Sequence, residues 1–322
     1  MTFLTETDKY IYERDIAPFL PSKIIDIHTH IDIARFMPDR GDSQFGDVTV
    51  DVVKQWWKML LPDALVTGNI MGFPRERCDI QGQNEYLANN IGNEGNVFSL
   101  LVSPDVSIDK LEADIVNYKP FALKPYLCFS VADDHSDARI TEFMPEEQFE
   151  LANRYNLAVV IHVSRARGMA DKQNLDDISR QVKKYPNCNF ILAHCGRCFV
   201  SINAEDMLQE IPVAENLWID TSAVCDMGVF MHLFTKYDHS KILYGSDLVT
   251  AAGFRGSYVP MGMSWIDFSG EQSKKKLAGI APTIAAYQNL AAMLQAATFC
   301  KFSKAMIEDI FYNNAKRLLS KI

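Results

Sequence analysis

Eight short apolar runs, each followed by a stretch of helical periodicity, set the terms for what this chain can fold into. The runs lie near Ile24–Ile31, Ala64–Ile70, Val97–Val102, Phe121–Tyr126, Ala158–Val163, Phe190–His194, Leu217–Thr221 and Ile242–Ser246. Helical patterns fill the intervals near Val50–Leu61, Ile80–Ile91, Ile108–Asn117, Pro145–Arg154, Leu175–Lys184, Ala204–Glu210 and Met227–Lys236, and two more follow the last run. A short, continuously apolar run suits a parallel strand buried on both faces, and the helix after it carries the chain back for the next strand. Eight such units are the number that closes a parallel barrel. A doubly wound open sheet would announce itself by a Gly-rich phosphate loop after the first strand, where this chain has His28-Thr29-His30. The expected fold is therefore α/β, a (β/α)8 TIM barrel forming one domain over residues 1–322. It begins with a helix near Asp8–Phe19, stopped by Pro21, and carries a long insertion, Leu248–Pro282, after strand eight.

With 48% hydrophobic and 23% charged residues, the chain has the composition of an ordinary globular protein. Its net charge of −9 argues against nucleic acid and anionic membrane surfaces as partners and favours small-molecule chemistry. The first residues lack the basic start and apolar core of a secretory signal, so a cytoplasmic location is expected. Seven scattered cysteines, an odd number, fit a reducing compartment. Cys195-Gly196-Arg197-Cys198 has redox-like spacing, yet no second pair completes a four-cysteine site. The insertion, with Trp265 and the run Lys274-Lys275-Lys276, suits either a substrate wall or a contact between subunits of a homo-oligomer.

In a barrel of this kind the chemistry gathers at the C-terminal ends of the strands. There the sequence places His28 and His30 on strand one, Lys124 on strand four, His162 on strand five, His194 on strand six and Asp247 after strand eight. Alternation puts His28 and His30 on one face, about 6–7 Å apart along the strand, a spacing that can grip one metal ion. Taken singly, each residue has a plain structural explanation: a satisfied core histidine, a turn-capping aspartate, a snorkelling lysine. Together they supply a mixed nitrogen and oxygen shell with room for water or substrate. Asp26 shares the strand-one face but lies deeper, as a floor group. The remaining histidines, His135, His232 and His239, fall in loop or helical settings expected at the surface.

These residues resemble the amidohydrolase superfamily, in its amidohydrolase-related branch of metal-dependent hydrolases and decarboxylases. The resemblance spans Ile24 to Leu319 and rests on Ile25-Asp26-Ile27-His28-Thr29-His30, Ile191-Leu192-Ala193-His194-Cys195-Gly196-Arg197, Ile242-Leu243-Tyr244-Gly245-Ser246-Asp247 and the closing Phe311-Tyr312-Asn313-Asn314-Ala315-Lys316-Arg317-Leu318. It implies metal binding by His28, His30, His162 and Asp247, with His194 polarising substrate or holding a second ion. One divalent ion is favoured over two, zinc first and manganese second. In some members a strand-four lysine is carboxylated and bridges two metals; in others that position, here Lys124, meets substrate. Many relatives carry a glycine where this chain has Arg197.

The resulting expectation is hydrolysis of a small anionic ester, lactone or amide by a metal-activated water. Asp247 serves as general base and His194 steadies the oxyanion. Arg165, Arg167 and Arg197, just beyond strands five and six, together with Lys124, are the expected substrate contacts, since guanidinium forks suit carboxylates. Two alternatives stand beside this reading. One is non-oxidative decarboxylation by the same shell; the other is a catalytically retired binding protein that keeps its metal for structure.

Overall fold

The computed structural model describes residues 3–92, 94–255, 259–266 and 282–322. Eight parallel strands run in sequence order: β1 Lys23–His30, β2 Leu65–Met71, β3 Val97–Val102, β4 Ala122–Pro125, β5 Ala158–Ile161, β6 Asn189–Leu192, β7 Leu217–Asp220 and β8 Ile242–Leu243. The circle closes where the chain just beyond β8 runs along β1. Ile27 N donates to Tyr244 O (2.9 Å), Asp247 N to His28 O (2.8 Å) and His30 N to Leu248 O (2.7 Å). This seam sets His28, His30 and Asp247 side by side. It also requires a glycine, because a Cβ on Gly245 would lie 2.9 Å from the Cβ of His28.

Strand alternation divides the core into two zones. Residues such as Ile24, Leu100, Val159, Phe190 and Ile219 face outward to the surrounding helices. Ile25, Ile27, Val160, Ile191, Trp218 and Leu243 form a separate cluster with Ala315 and Leu318 of the C-terminal helix Asn314–Leu319, which plugs the barrel's N-terminal end. Helices fill the expected intervals, and side chains cap their first turns. Thr49 accepts from Val52 N (3.3 Å), Asp79 from Gly82 N (2.8 Å) and Asp171 from Gln173 N (2.9 Å), each contributing about 1 kcal/mol.

Three differences from the expected elements matter. The N-terminal helix is α-helical only over Glu6–Ile11 and continues through a π turn, Tyr12–Ile16, and a 3-10 turn, Ala17–Phe19. The sixth strand stops at Leu192 and the eighth at Leu243, each short of its expected end, because the residues beyond them turn aside to build the site. Part of the insertion, including the run 274–276, lies outside the described residues. Its described portion includes an antiparallel hairpin, Val259–Met261 with Ser264–Ile266.

Candidate metal centre and substrate cavity

Asp26, expected as a floor group on the face of the histidines, instead lies behind the site: Ile25 and Ile27 on either side of it face the interior, and the register of β1 shifts between Asp26 and Thr29. Fully buried, Asp26 accepts from Trp57 Nε1 (2.9 Å), His28 N (3.2 Å), Ser246 N (2.9 Å) and Ser246 Oγ (2.6 Å), tying β1 to the turn after β8. Burial pushes its carboxyl up to about 6, opposed by these hydrogen bonds. The two strand-one histidines follow it along β1 and line the cavity.

Hydrogen bonds on the far side of each ring fix which nitrogen faces the cavity. His28 Nδ1 meets Asp220 Oδ2 at 2.8 Å and His30 Nδ1 meets the Gly72 carbonyl at 2.8 Å. Both partners only accept, so each Nδ1 carries the proton. Burial, then the charges of Lys124 and His30, hold His28 well below the ordinary histidine range; burial and Lys124 bring His30 to about 3. Both rings are accordingly neutral, and their bare Nε2 atoms face each other at 3.2 Å. Two lone pairs at that distance repel unless a cation lies between them. For a tetrahedral zinc ion with Zn–N of about 2.0–2.1 Å, the expected N···N separation is about 3.3 Å. Asp247 Oδ1 stands 3.7 Å from both nitrogens, and ligand atoms of His28, His194 and Asp247 all lie within 4.8 Å of one another. The donor set fits a divalent ion.

His194 arrives by an unusual backbone path. Residues 194–197 take φ values of 56°, 51°, 67° and 60°, a left-handed turn in which three residues are not glycine, at about 1–2 kcal/mol each. The carboxylate of Asp220, at the end of β7, steadies this turn by accepting from His194 N (2.9 Å) and from Ser222 N (3.0 Å) and Oγ. Ser222 Oγ in turn accepts from His194 Nδ1 at 2.8 Å, so the Nε2 of His194 is also bare. That tautomer makes His194 a ligand or proton acceptor, whereas steadying an oxyanion would need an Nε2–H. Residues three apart in such a turn project to one side, and His194 and Arg197 both line the same cavity.

That cavity, of about 320 Å3, is bounded by the histidines His28, His30, His162 and His194, by Asp247 and Arg197, and by aromatic walls of Phe73, Tyr126, Phe199 and Trp265. His162 lies just past β5, its ring 4.6 Å from that of Tyr126 and 5.2 Å from that of His194, with Nδ1 buried and unpartnered. Lys124 is wholly buried and its Nζ has no hydrogen-bond partner among the described residues. Burial pushes Lys124 down and Asp247 up, each shift opposed by the other's charge.

The arginines divide. Arg197 Nη1 donates to the carbonyls of Arg165 (2.7 Å) and Val163 (3.4 Å), which fixes the guanidinium without neutralising it. Arg165 pairs with Asp137 at 2.8 Å and Arg167 with Asp206, and neither is part of the cavity wall. Sequence reasoning missed Asp220, although an aspartate at the end of the seventh apolar run carries the same signal as Asp247. It also missed Ser222, Phe73 and Phe199, which sit in loops with no pattern of their own, whereas Trp265 belongs to the insertion expected as a substrate wall or subunit contact. His239 is half-buried, Nε2 on the Phe234 carbonyl (2.6 Å), and His135 lies 3.6 Å from Glu76. Cys195 and Cys198 are both buried, with their thiols pushed up by desolvation. No described helix is long and apolar enough to cross a membrane.

The family model described as amidohydrolase matches residues 95–321, a span that holds His162, His194 and Asp247, with His28 and His30 ahead of it. No curated protein matches the sequence significantly. Among solved structures, a probable 2-pyrone-4,6-dicarboxylic acid hydrolase from Acinetobacter baumannii with citric acid bound is similar at TM-score 0.57 and 11% identity, over 92% of this chain and 99% of that one. The 5-carboxyvanillate decarboxylase of Sphingomonas paucimobilis is similar at 0.51 and 12%, over 93% and 99%. The 2,6-dihydroxybenzoate decarboxylase from Rhizobium is similar at 0.53 and 11%, over 93% and 98%. At such identities the likeness is one of fold.

Proposed function

The chain belongs to the amidohydrolase family, and from that premise we propose that it is a metal-dependent hydrolase of a small carboxylate-bearing ester, lactone or amide. One observation carries the reading: the bare Nε2 atoms of His28, His30 and His194 converge with Asp247 at the foot of a cavity that also presents Arg197. His28, His30 and Asp247 would hold a divalent ion, zinc before manganese, with His162 and His194 available to complete the shell. Such an ion, when bound, polarises a carbonyl and acidifies water. Asp220 and the Gly72 carbonyl hold the two rings in the tautomer that binding requires. Asp247 turns Oδ1 toward the histidine pair and keeps its second oxygen to take a proton from the attacking water and return it to the leaving group. Arg197 binds the substrate carboxylate, and the aromatic walls exclude bulk water from the reacting carbonyl. Lys124 offsets the buried charge of Asp220 and Asp247 from beneath.

Decarboxylation of a flat acid is the second reading, favoured by the four aromatic side chains of the wall and consistent with the two decarboxylases of similar fold. There Asp247 would deliver its proton to carbon. Metal analysis of the purified protein, followed by turnover of a lactone, amide and aryl-acid panel in 18O water, tests both. Label in an acid product supports hydrolysis, and stoichiometric carbon dioxide supports decarboxylation. A protein that binds no divalent ion under metal-replete conditions overturns the metal-dependent reading.

A further inference from the structure

The hairpin Val259–Met261 with Ser264–Ile266 supplies one wall of the cavity, yet it has little of its own to hold it in place. A two-stranded ribbon is marginal in water by itself, and residues 261–264 are exposed. Trp265 turns inward. It lines the cavity with its ring 4.7 Å from that of Phe199, and the Phe199 ring stacks on His194 at 5.7 Å. The position of Trp265 therefore fixes one boundary of the cavity.

A buried asparagine on the helix Ser201–Glu210 reaches this hairpin. Asn203 is wholly buried, and both ends of its amide are used: Nδ2 donates to the Met263 carbonyl (3.2 Å) and Oδ1 accepts from Arg167 Nε (3.3 Å). A guanidinium only donates and a carbonyl only accepts, so the amide has a single orientation. Arg167 is itself held by Asp206. Its loop lies so close to the left-handed turn after β6 that a Cβ on Gly168 would come 2.5 Å from the Gly196 carbonyl oxygen. Asp206, Arg167 and Asn203 thus join the loop after β5 and the helix after β6 to the insertion after β8. The bond to the hairpin is made to main chain while the Met263 side chain is exposed, so it fixes where the hairpin stands.

We propose that Asn203 is a positioning residue that holds Trp265 in the cavity wall, and that the chain from Asp206 through Arg167 to Asn203 thereby sets the size of substrate the site accepts. The size limit rests on the reading of this cavity as the active site; the hold on Trp265 does not. Arg167, expected as a substrate contact, acts on the wall instead of on the substrate.

Two measurements on the full-length protein test the two parts. Acrylamide quenching of tryptophan fluorescence, compared with Trp265→Phe, isolates Trp265 from Trp56, Trp57 and Trp218. Asn203→Asp keeps the shape and the Arg167 partner but removes the donor to Met263. It is expected to raise the quenching constant of Trp265 about twofold, and Asp206→Asn to raise it less, with no change when Trp265→Phe is also present. Where Asn203→Asp fails to fold, Asp206→Asn carries the same test. A variant in which Trp265 stays as shielded as in the wild type overturns the proposal, as does quenching raised equally at the other tryptophans. Size is then probed on cobalt-substituted protein, whose visible absorption reports ligands at the metal, with benzohydroxamate and biphenyl-4-carbohydroxamate. The wild type is expected to bind the smaller acid about tenfold tighter, and Asn203→Asp to narrow that gap to about twofold. Equal affinities in the wild type, or a gap that the variant keeps, overturn the size limit. A protein that takes up no cobalt overturns the metal-dependent reading and the size limit with it, while the fluorescence result still decides the hold on Trp265.

Discussion

The two ends of the barrel follow opposite rules. At the N-terminal end Trp218, Ala315 and Leu318 pack into a cluster that needs little beyond apolar contact. A cavity of about 500 Å3 beside it, larger than the one among the histidines, is walled by Val97, Ile115, Phe121, Leu157 and similar side chains. At the C-terminal end the smaller cavity holds four histidines, an aspartate and an arginine, with left-handed backbone at His194, Cys195, Arg197 and Asp247. Size therefore does not locate the chemistry. What does is the concentration of desolvated polar groups and local strain, which the rest of the fold must offset.

The largest expected break in this contrast comes from Asp247→Asn. It removes the proton acceptor while nearly preserving shape, and is expected to lower turnover about 10²- to 10⁴-fold with little change in melting temperature. Unchanged turnover in Asp247→Asn would take the proton transfer away from Asp247, whereas a wild-type protein that binds metal, turns over nothing and keeps every measured property on this substitution would favour the retired-barrel alternative. At the opposite end, Leu318→Ala opens a cavity in the plug and should cost about 2–5 kcal/mol by denaturant unfolding while leaving metal content unchanged. Coupled loss of metal would show that the two ends are not independent.

Asp220→Asn sharpens the comparison from within the site. It weakens the hold on both the His28 ring and the left-handed turn, so metal affinity should fall about 10- to 100-fold in chelator competition. The smallest effect lies on the flank of the barrel at Glu146. Burial raises its carboxyl, but hydrogen bonds from Lys184, Tyr185 and Gln181 reverse that and bring it to about 2. A depressed folded-state pKa stabilises above the unfolded value of 4.5 and loses that contribution as pH falls toward 2. Glu146→Gln should therefore lower the melting temperature by about 1–2 °C at pH 7, with the gap to the wild-type protein closing over that acid window.

Much of the barrel was legible because each strand is buried on both faces, which writes an apolar run into the sequence, and each helix is amphipathic. The placement of His28 beside His30 was equally legible, since alternation is a local rule. The sixth strand was read through His194, yet it ends at Leu192. Left-handed backbone at a histidine and a cysteine is unfavourable locally and is held here by a carboxylate 26 residues away. Arg165 and Arg167 looked equivalent to Arg197, but Asp137 and Asp206 occupy the first two, and no spacing rule reports such pairing.

From the sequence alone came the alternation that dictates eight β/α units and the polar residues that stand at their ends, because periodicity and strand alternation act over a few residues. Tertiary structure alone decided which nitrogens are bare, which arginines have an acidic partner, and how near Asp247 stands to the histidine pair. Those outcomes depend on hydrogen bonds and burial between segments as far apart as His28 and Asp220, 192 residues along the chain. Such contacts exist only once the barrel has closed.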